Sequence, residues 1–221
     1  MEKNENGENI VRINVITLGA SGVGKTSIIR RIKDGTFNDK ILATVGLDSF
    51  CIIRKYEKRN LSIYLNFHDT MGQEDFHGLL PPQYIRNSPI VLLVFSSIDT
   101  LNDLIRRWYK YYKDNTNIDN SKFILIGNKS DSFGDKRDEI VKKGEEFADE
   151  INALFMTCSA KSADNMDNLE RFILKEAKRF IDELEKKINN NKENNNKTSK
   201  NKNINLNDKK EDKKKKGCKC K

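Results

Sequence analysis

The sequence predicts an α/β fold: a doubly wound, mostly parallel six-stranded sheet with helices on both faces, in a single domain. Three observations carry that reading. Apolar runs of strand length alternate with segments of helical period through most of the chain, which is how successive βαβ units appear in a sequence. Two of those runs, Ile90–Phe95 and Phe123–Ile126, are apolar without a break, as central strands covered on both faces must be. The stretch Gly19–Thr26 has the spacing glycine, four residues, glycine, lysine, threonine; it lies between an apolar run (Ile13, Val15, Ile16, Leu18) and a helix-like segment (Ser27–Ile32). Strand, glycine-rich turn and helix, in that order, form the context of a phosphate-binding loop.

The elements follow in order. A first strand ends at Leu18, and a helix runs from the loop to Asp34, where Gly35 stops it. Residues 36–46 show neither helical nor strand period and read as a long loop, which in a compact domain is more often functional than idle. Leu47–Tyr56 and Leu61–His68 are strand candidates joined by Glu57-Lys58-Arg59-Asn60; so short a link demands an antiparallel hairpin, at a sheet edge. The second alternates, with Leu61, Ile63, Leu65 and Phe67 on one face. The runs at Ile90 and Phe123 are each followed by a helical segment, Thr100–Lys113 and Lys136–Ile151. A short strand, Leu154–Thr157, leads to a last helix whose Met166, Leu169, Ile173, Ala177, Phe180, Leu184 and Ile188 recur every three or four residues as one apolar stripe.

Charge is unevenly distributed along the 221 residues, whose net charge is +8. Fourteen lysines against four acids give residues 186–221 a net of +10, leaving about −2 for the rest. The basic character belongs to the tail, so nothing favours a nucleic-acid-binding domain. Ten asparagines and almost no apolar residues in that tail cannot bury enough surface to fold. The expected organisation is a flexible N-terminus (1–9), a folded domain (10–187) and a disordered tail (188–221). No apolar run approaches the ~20 residues of a membrane span, and the polar start is unlike a signal peptide, so synthesis in the cytosol is expected. Cys51 and Cys158 read as reduced residues within the fold. His68 and His77 have no partners at metal-ligand spacing and read as polar strand-end or surface residues.

In the loop Ser21-Gly22-Val23-Gly24-Lys25-Thr26-Ser27, glycines allow successive N–H groups to converge on phosphate oxygens. The following helix adds the positive end of its dipole. Lys25 would reach the outer phosphates, and the Thr26 hydroxyl would ligate Mg2+. Three further loops leave strand ends. In Asp69-Thr70-Met71-Gly72-Gln73-Glu74 the aspartate can support Mg2+ through water, Gly72 offers an unobstructed N–H, and Gln73 can position an attacking water. In Asn128-Lys129-Ser130-Asp131 the carboxylate can accept two hydrogen bonds, matching the two donors on one edge of guanine. Ser159-Ala160-Lys161 is placed to close over a base.

Gly19–Thr26, Thr44-Val45-Gly46, Asp69–Glu74, Asn128–Asp131 and Ser159–Lys161 match, in order and approximate spacing, the five nucleotide-binding motifs of the Ras-like small GTPases. The resemblance covers residues 10–185. It implies that Thr44 ligates Mg2+ and senses the γ-phosphate, that Phe37 packs against guanine, and that Gly72 binds the γ-phosphate while Gln73 orients the hydrolytic water. It also implies that Asn128, Lys129 and Asp131 hold the base, with Ser159 in the same loop set, Ala160 giving a backbone N–H and Lys161 packing alongside. Ser21, Trp108 and the two-cysteine ending resemble the Rab branch most; Ser49, His68, Met71 and Leu79-Leu80-Pro81-Pro82 depart from it. Met71, beside the expected γ-phosphate site, predicts slow intrinsic hydrolysis.

What the resemblance implies is a monomeric GTP/GDP switch in vesicle traffic that hydrolyses GTP slowly alone. Expected partners are an exchange factor, a GTPase-activating protein, effectors and the prenylation machinery. Two lipid chains, or one plus a basic patch, hold a protein stably on a membrane, and the resemblance implies geranylgeranyl groups on Cys218 and Cys220, behind Lys213–Lys216. Lys221 follows where the family's Cys-x-Cys ends the chain. The expected location is the cytosol and the cytoplasmic face of an intracellular membrane. Two other readings stay open: a GTP-loaded scaffold with negligible turnover, and a P-loop kinase, against which Asn128–Asp131 argues.

Overall fold

The computed structural model describes residues 2, 3, 5, 7–39, 47–70, 82–116 and 121–211, with the side chains of Leu47, Lys58, Pro82, Gln83 and 191–211 left aside. Thr44, Met71, Gly72, Gln73, His77, Cys218 and Cys220 lie outside the described residues.

The strands are β1 (Glu2–Lys3), β2 (Asn9–Leu18), β3 (Leu47–Tyr56), β4 (Leu61–Thr70), β5 (Ile90–Phe95), β6 (Lys122–Gly127) and β7 (Leu154–Thr157). They form one sheet ordered β3-β4-β2-β5-β6-β7, with β1 paired to β2. β4, β2, β5, β6 and β7 are mutually parallel, and β3 turns back antiparallel on β4 at the edge. The seventh strand is a difference from the six expected: Glu2 and Lys3 pair antiparallel with Ile10 and Asn9, and the polar N-terminus carries no periodicity that would announce it. Among the described residues the helices are α1 (Lys25–Asp34), α2 (Pro82–Arg86), α3 (Ile98–Asp103), α4 (Lys110–Asn115), α5 (Arg137–Glu150) and α6 (Met166–Glu211). A six-residue π-helical stretch, Leu104–Tyr109, joins α3 to α4 without a break.

Local chemistry explains most boundaries. Gly35 adopts φ 67° and its N–H returns to the Arg31 carbonyl at 3.0 Å, the left-handed stop that glycine allows at little cost. Ser97 caps α3 reciprocally with Thr100. The β3–β4 link is a single 3-10 turn, Glu57–Arg59, closed by Asn60 at φ 46°. β4 departs from clean alternation, since Ser62 and His68 are buried alongside Leu61, Ile63, Leu65 and Phe67. The reason is position: β4 lies between β2 and β3, and its polar side chains find partners. Ser62 Oγ donates to Glu8, while His68 approaches Ser49 Oγ at 3.3 Å and meets the Tyr84 ring edge-on.

On one side of the sheet the core joins Leu18, Leu93, Phe95 and Leu125 to Leu104, Trp108, Tyr112, Ile140 and Phe147. Ile28, Ile29, Leu169 and Ile173 are likewise buried. Cys158 is buried and Cys51 exposed, both as free thiols, and burial pushes the Cys158 thiol up to about 12.

The chain divides into two compact units, Met1–Ala177 and Lys178–Lys221. In the first, the stripe of α6 is buried from Met166 to Ala177. In the second, the backbone stays helical through Glu211, beyond the boundary at 187 read from composition; no proline or glycine between Met166 and Glu211 interrupts it. Leu184 and Ile188, read as part of the stripe, are exposed there.

Candidate functional site

Because five strands run parallel, the segments following β2, β4, β6 and β7 all leave the sheet at one edge. β2 sits where the chain's path across the sheet reverses, with β4 on one side and β5 on the other; in open α/β sheets that position is where ligands bind. A cleft of about 430 Å3 opens there, lined on one side by Ser21, Gly22, Gly24, Lys25, Thr26, Ser27 and Thr70. Asn128, Lys129, Asp131, Ser132, Ala160 and Lys161 form the other side, with Phe37, Asn38 and Asp39 at its rim. The volume falls in the range that holds a small organic ligand.

On the phosphate side, the Lys25 ammonium donates to the carbonyls of Gly19 at 2.8 Å and Ala20 at 3.0 Å. Burial pushes its pKa down to about 8, against the opposing pull of the Asp69 carboxylate. Gly22 and Gly24 take φ 74° and 96°, and a Cβ on Gly24 would stand 2.3 Å from Asn128 Nδ2. A side chain there would be both strained and blocked. Val23 is buried beneath the loop, and its carbonyl faces Asn128.

Thr26 Oγ1 donates to Asp69 Oδ2 at 2.5 Å, and Thr17 Oγ1 approaches Asp69 Oδ1 at 3.3 Å. The Thr26 hydroxyl and Asp69 carboxylate are hard oxygen donors at the phosphate end of the cleft, the type Mg2+ takes alongside phosphate oxygens. Among the described residues no group of three or more His, Cys, Asp or Glu could hold a metal ion. One hydroxyl and one carboxylate side by side fit Mg2+ that takes further oxygens from a bound phosphate. Thr17 escaped the sequence reading, although a hydroxyl within the apolar run Ile13–Leu18 was a signal that could have found it.

The other side of the cleft is braced by bonds within the protein. Asn128 is 1% exposed; its Nδ2 donates to the Val23 carbonyl at 2.8 Å, and its Oδ1 accepts the Ala160 N–H at 3.2 Å. Its side chain thus ties the phosphate loop to the segment after β7. Ser159, fully buried, donates to Asp131 Oδ1 at 2.5 Å and accepts the Ser162 N–H. The Ser159 hydroxyl above all, then Ser132 and the Lys161 charge, holds the Asp131 carboxyl below its ordinary range despite some desolvation. Lys129 sits at φ 64°, and Lys161 Nζ lies 3.8 Å from Asp39.

Phe37 is half-buried at the rim, its ring centre 5.9 Å from the Arg31 guanidinium. Arg31 was not singled out in the sequence, where it is one of two adjacent arginines in α1. Of the expected nucleotide-site residues, Ser21, Gly22, Gly24, Lys25, Thr26, Ser27, Phe37, Asn128, Lys129, Asp131, Ala160 and Lys161 line one cleft, Val23, Asp69 and Ser159 are buried next to lining residues, and Thr44, Gly72 and Gln73 lie outside the described residues.

The family model for the Ras family matches residues 14–179. The chain is 35% identical over 176 residues to the Ras-related protein RABE1d of Arabidopsis thaliana, covering 79% of this chain and 80% of the relative. It is 34% identical over 176 residues to RABE1e of the same plant, covering 79% of each. The Ras-related protein RAB1BV of Beta vulgaris is 34% identical over 158 residues, 71% of this chain and 72% of the relative. A phosphate loop, an aspartate-supported threonine and a braced base-side carboxylate meeting in one cleft, together with these matches, lead to one conclusion: the chain belongs to the Ras family, on its Rab branch, and is a small GTPase that hydrolyses GTP.

Proposed function

We propose that this GTPase works as a membrane-traffic switch whose GTP- and GDP-bound states differ in the segments around Thr44 and Gly72. The folded domain of this reading spans residues 10–187, and the tail beyond it serves as a linker to a lipid anchor. The observation that supports it best is the convergence of Lys25 and Thr26 with Asn128, Asp131 and Ala160 on a single cleft, the buried Asp69 being bonded to Thr26.

In the proposed mechanism the N–H groups of Ser21–Ser27 bind the phosphates, and Lys25 leaves the Gly19 and Ala20 carbonyls to meet the outer ones. Asp131 accepts two donors from the guanine edge, and a carboxylate held ionised by Ser159 selects against adenine, which lacks them. Asn128 holds the two halves together, while Lys129, Lys161 and Phe37 cover the base. Bound Mg2+, held by Thr26, Thr44 and, through water, Asp69, would neutralise charge on the outer phosphates. Gln73 orients the attacking water and Gly72 contacts the γ-phosphate. Cleavage then releases both segments. Turnover is slow without an activating protein, and reloading requires an exchange factor. Cys218 and Cys220 carry prenyl groups, and the lysines before them add attraction to an anionic cytoplasmic leaflet.

Single-turnover GTP cleavage and cell imaging test the proposal. Gln73→Leu should slow phosphate release by at least about tenfold with GTP still bound, and Cys218→Ser/Cys220→Ser should leave the protein cytosolic. Unchanged cleavage would remove Gln73 from the mechanism, and unchanged location would remove the lipid anchor.

A further inference from the structure

We infer that Arg31 is a positioning residue for the guanine end of the site, clamping the Phe37 rim and the Ala160–Lys161 segment into one rigid unit. The inference rests on the nucleotide-switch reading and names a residue outside the motifs that define it. Arg31 stands in the last turn of α1. Its guanidinium donates to three carbonyls at once: Nε to Ala160 at 2.8 Å, Nη2 to Lys161 at 3.1 Å, and Nη1 to Gly35 at 2.5 Å. Two of these contacts cross about 130 positions of sequence.

The geometry suits the task. Charge-assisted bonds from a planar fork fix direction as well as distance, so the two carbonyls set the plane of the peptide groups that carry Ala160 and Lys161. Gly35 begins the segment leading to Phe37, whose ring centre lies 5.9 Å from the same guanidinium. The Ala160 N–H, Lys161 and Phe37 all belong to the base end. Arg31 itself does not line the cleft, so it acts through those groups. Its described contacts go to Gly35, Phe37, Ala160 and Lys161, at the base end and not to the phosphate end.

Arg31 should therefore support base recognition and leave phosphate chemistry alone. A lysine in its place keeps the charge on a compact head that cannot span three carbonyls.

The test uses the full chain purified with GDP, in three forms: wild type, Arg31→Ala and Arg31→Lys. Release of a fluorescent GDP, equilibrium affinities for GDP and ADP, and single-turnover GTP cleavage are measured. For Arg31→Ala the expected results are GDP release about tenfold faster, a GDP-to-ADP affinity ratio narrowed by about the same factor, and a cleavage rate within about twofold of wild type. Arg31→Lys should fall between. If Arg31→Ala does not fold, the lysine variant alone must narrow the ratio. Unchanged release, or an affinity loss shared equally by GDP and ADP, would overturn the inference. A wild-type chain that binds GDP no better than ADP would instead overturn the nucleotide-switch reading on which it rests.

Discussion

Replacing Asn128 by alanine should loosen both ends of the nucleotide site at once. The side chain is 1% exposed and joins the Val23 carbonyl, at 2.8 Å, to the Ala160 N–H, at 3.2 Å. Each such neutral hydrogen bond contributes about 1 kcal/mol net, and a buried group left unpaired costs about 1–3 kcal/mol. Removing both bonds should then cost about 3 kcal/mol. If the bound state needs the two segments in register, GDP affinity falls about 100-fold. A loss of that size also lowers the unfolding midpoint by about 6–12 °C in a domain of this length. Stopped-flow release of fluorescent GDP and thermal unfolding at saturating GDP read the two effects. Asn128→Asp is the informative control: it keeps an acceptor for Ala160 but sets a carboxylate against the Val23 carbonyl, so it should be no better than alanine. A GDP release rate for Asn128→Ala within about threefold of wild type would falsify the bracing role.

Two further outcomes follow from the site's charge and oxygen chemistry. In the proposed mechanism Asp131 must be ionised to accept the base donors, and its pKa is lowered mainly by Ser159. GDP affinity should therefore persist as pH falls through the ordinary carboxylate range and be lost only below it, with no dependence on this group at higher pH. Ser159→Ala should move that loss to higher pH, and affinity titrations on both proteins will show whether it does. Thr26→Ala removes the hydroxyl that meets Asp69 at 2.5 Å. The Mg2+ concentration needed to slow GDP release should rise at least about tenfold, while the two proteins converge when the metal is chelated.

Much of this was legible from residue type and spacing alone. Gly19–Thr26 identified a turn between strand and helix because only glycine suits the backbone there, and Gly35 marked the end of α1 for the same reason. The uninterrupted runs at Ile90 and Phe123 identified the central strands, since only a strand covered on both faces lacks polar positions. Other features depend on contacts between residues far apart in the chain. Arg31 differs from Arg30 in sequence by nothing but one position, and its role comes from carbonyls on the segment after β7. β1 pairs with the start of β2, where β4 covers one side and the pairing with β5 has not begun, a property of the neighbour's edge. Asn128 was read as a base contact from its motif, while its bonds to Val23 and Ala160 depend on how β6 and β7 bring three loops together.

The π-helical stretch Leu104–Tyr109 gives one part of the molecule an unusual tolerance of length. Its hydrogen bonds close over five residues where an α-helix closes over four, so it accommodates one residue more than a regular turn needs. Leu104, Trp108 and Tyr112, all buried in the core, are spaced by four across it. Losing one residue here can be absorbed by returning the backbone to the α geometry while α4 keeps its place. The same loss inside α5, which has no such slack, would turn every following side chain by about 100° and take Phe147 off the core. Among the helices packed on this side of the sheet, the one carrying Trp108 can therefore change length by one residue and still close the same core.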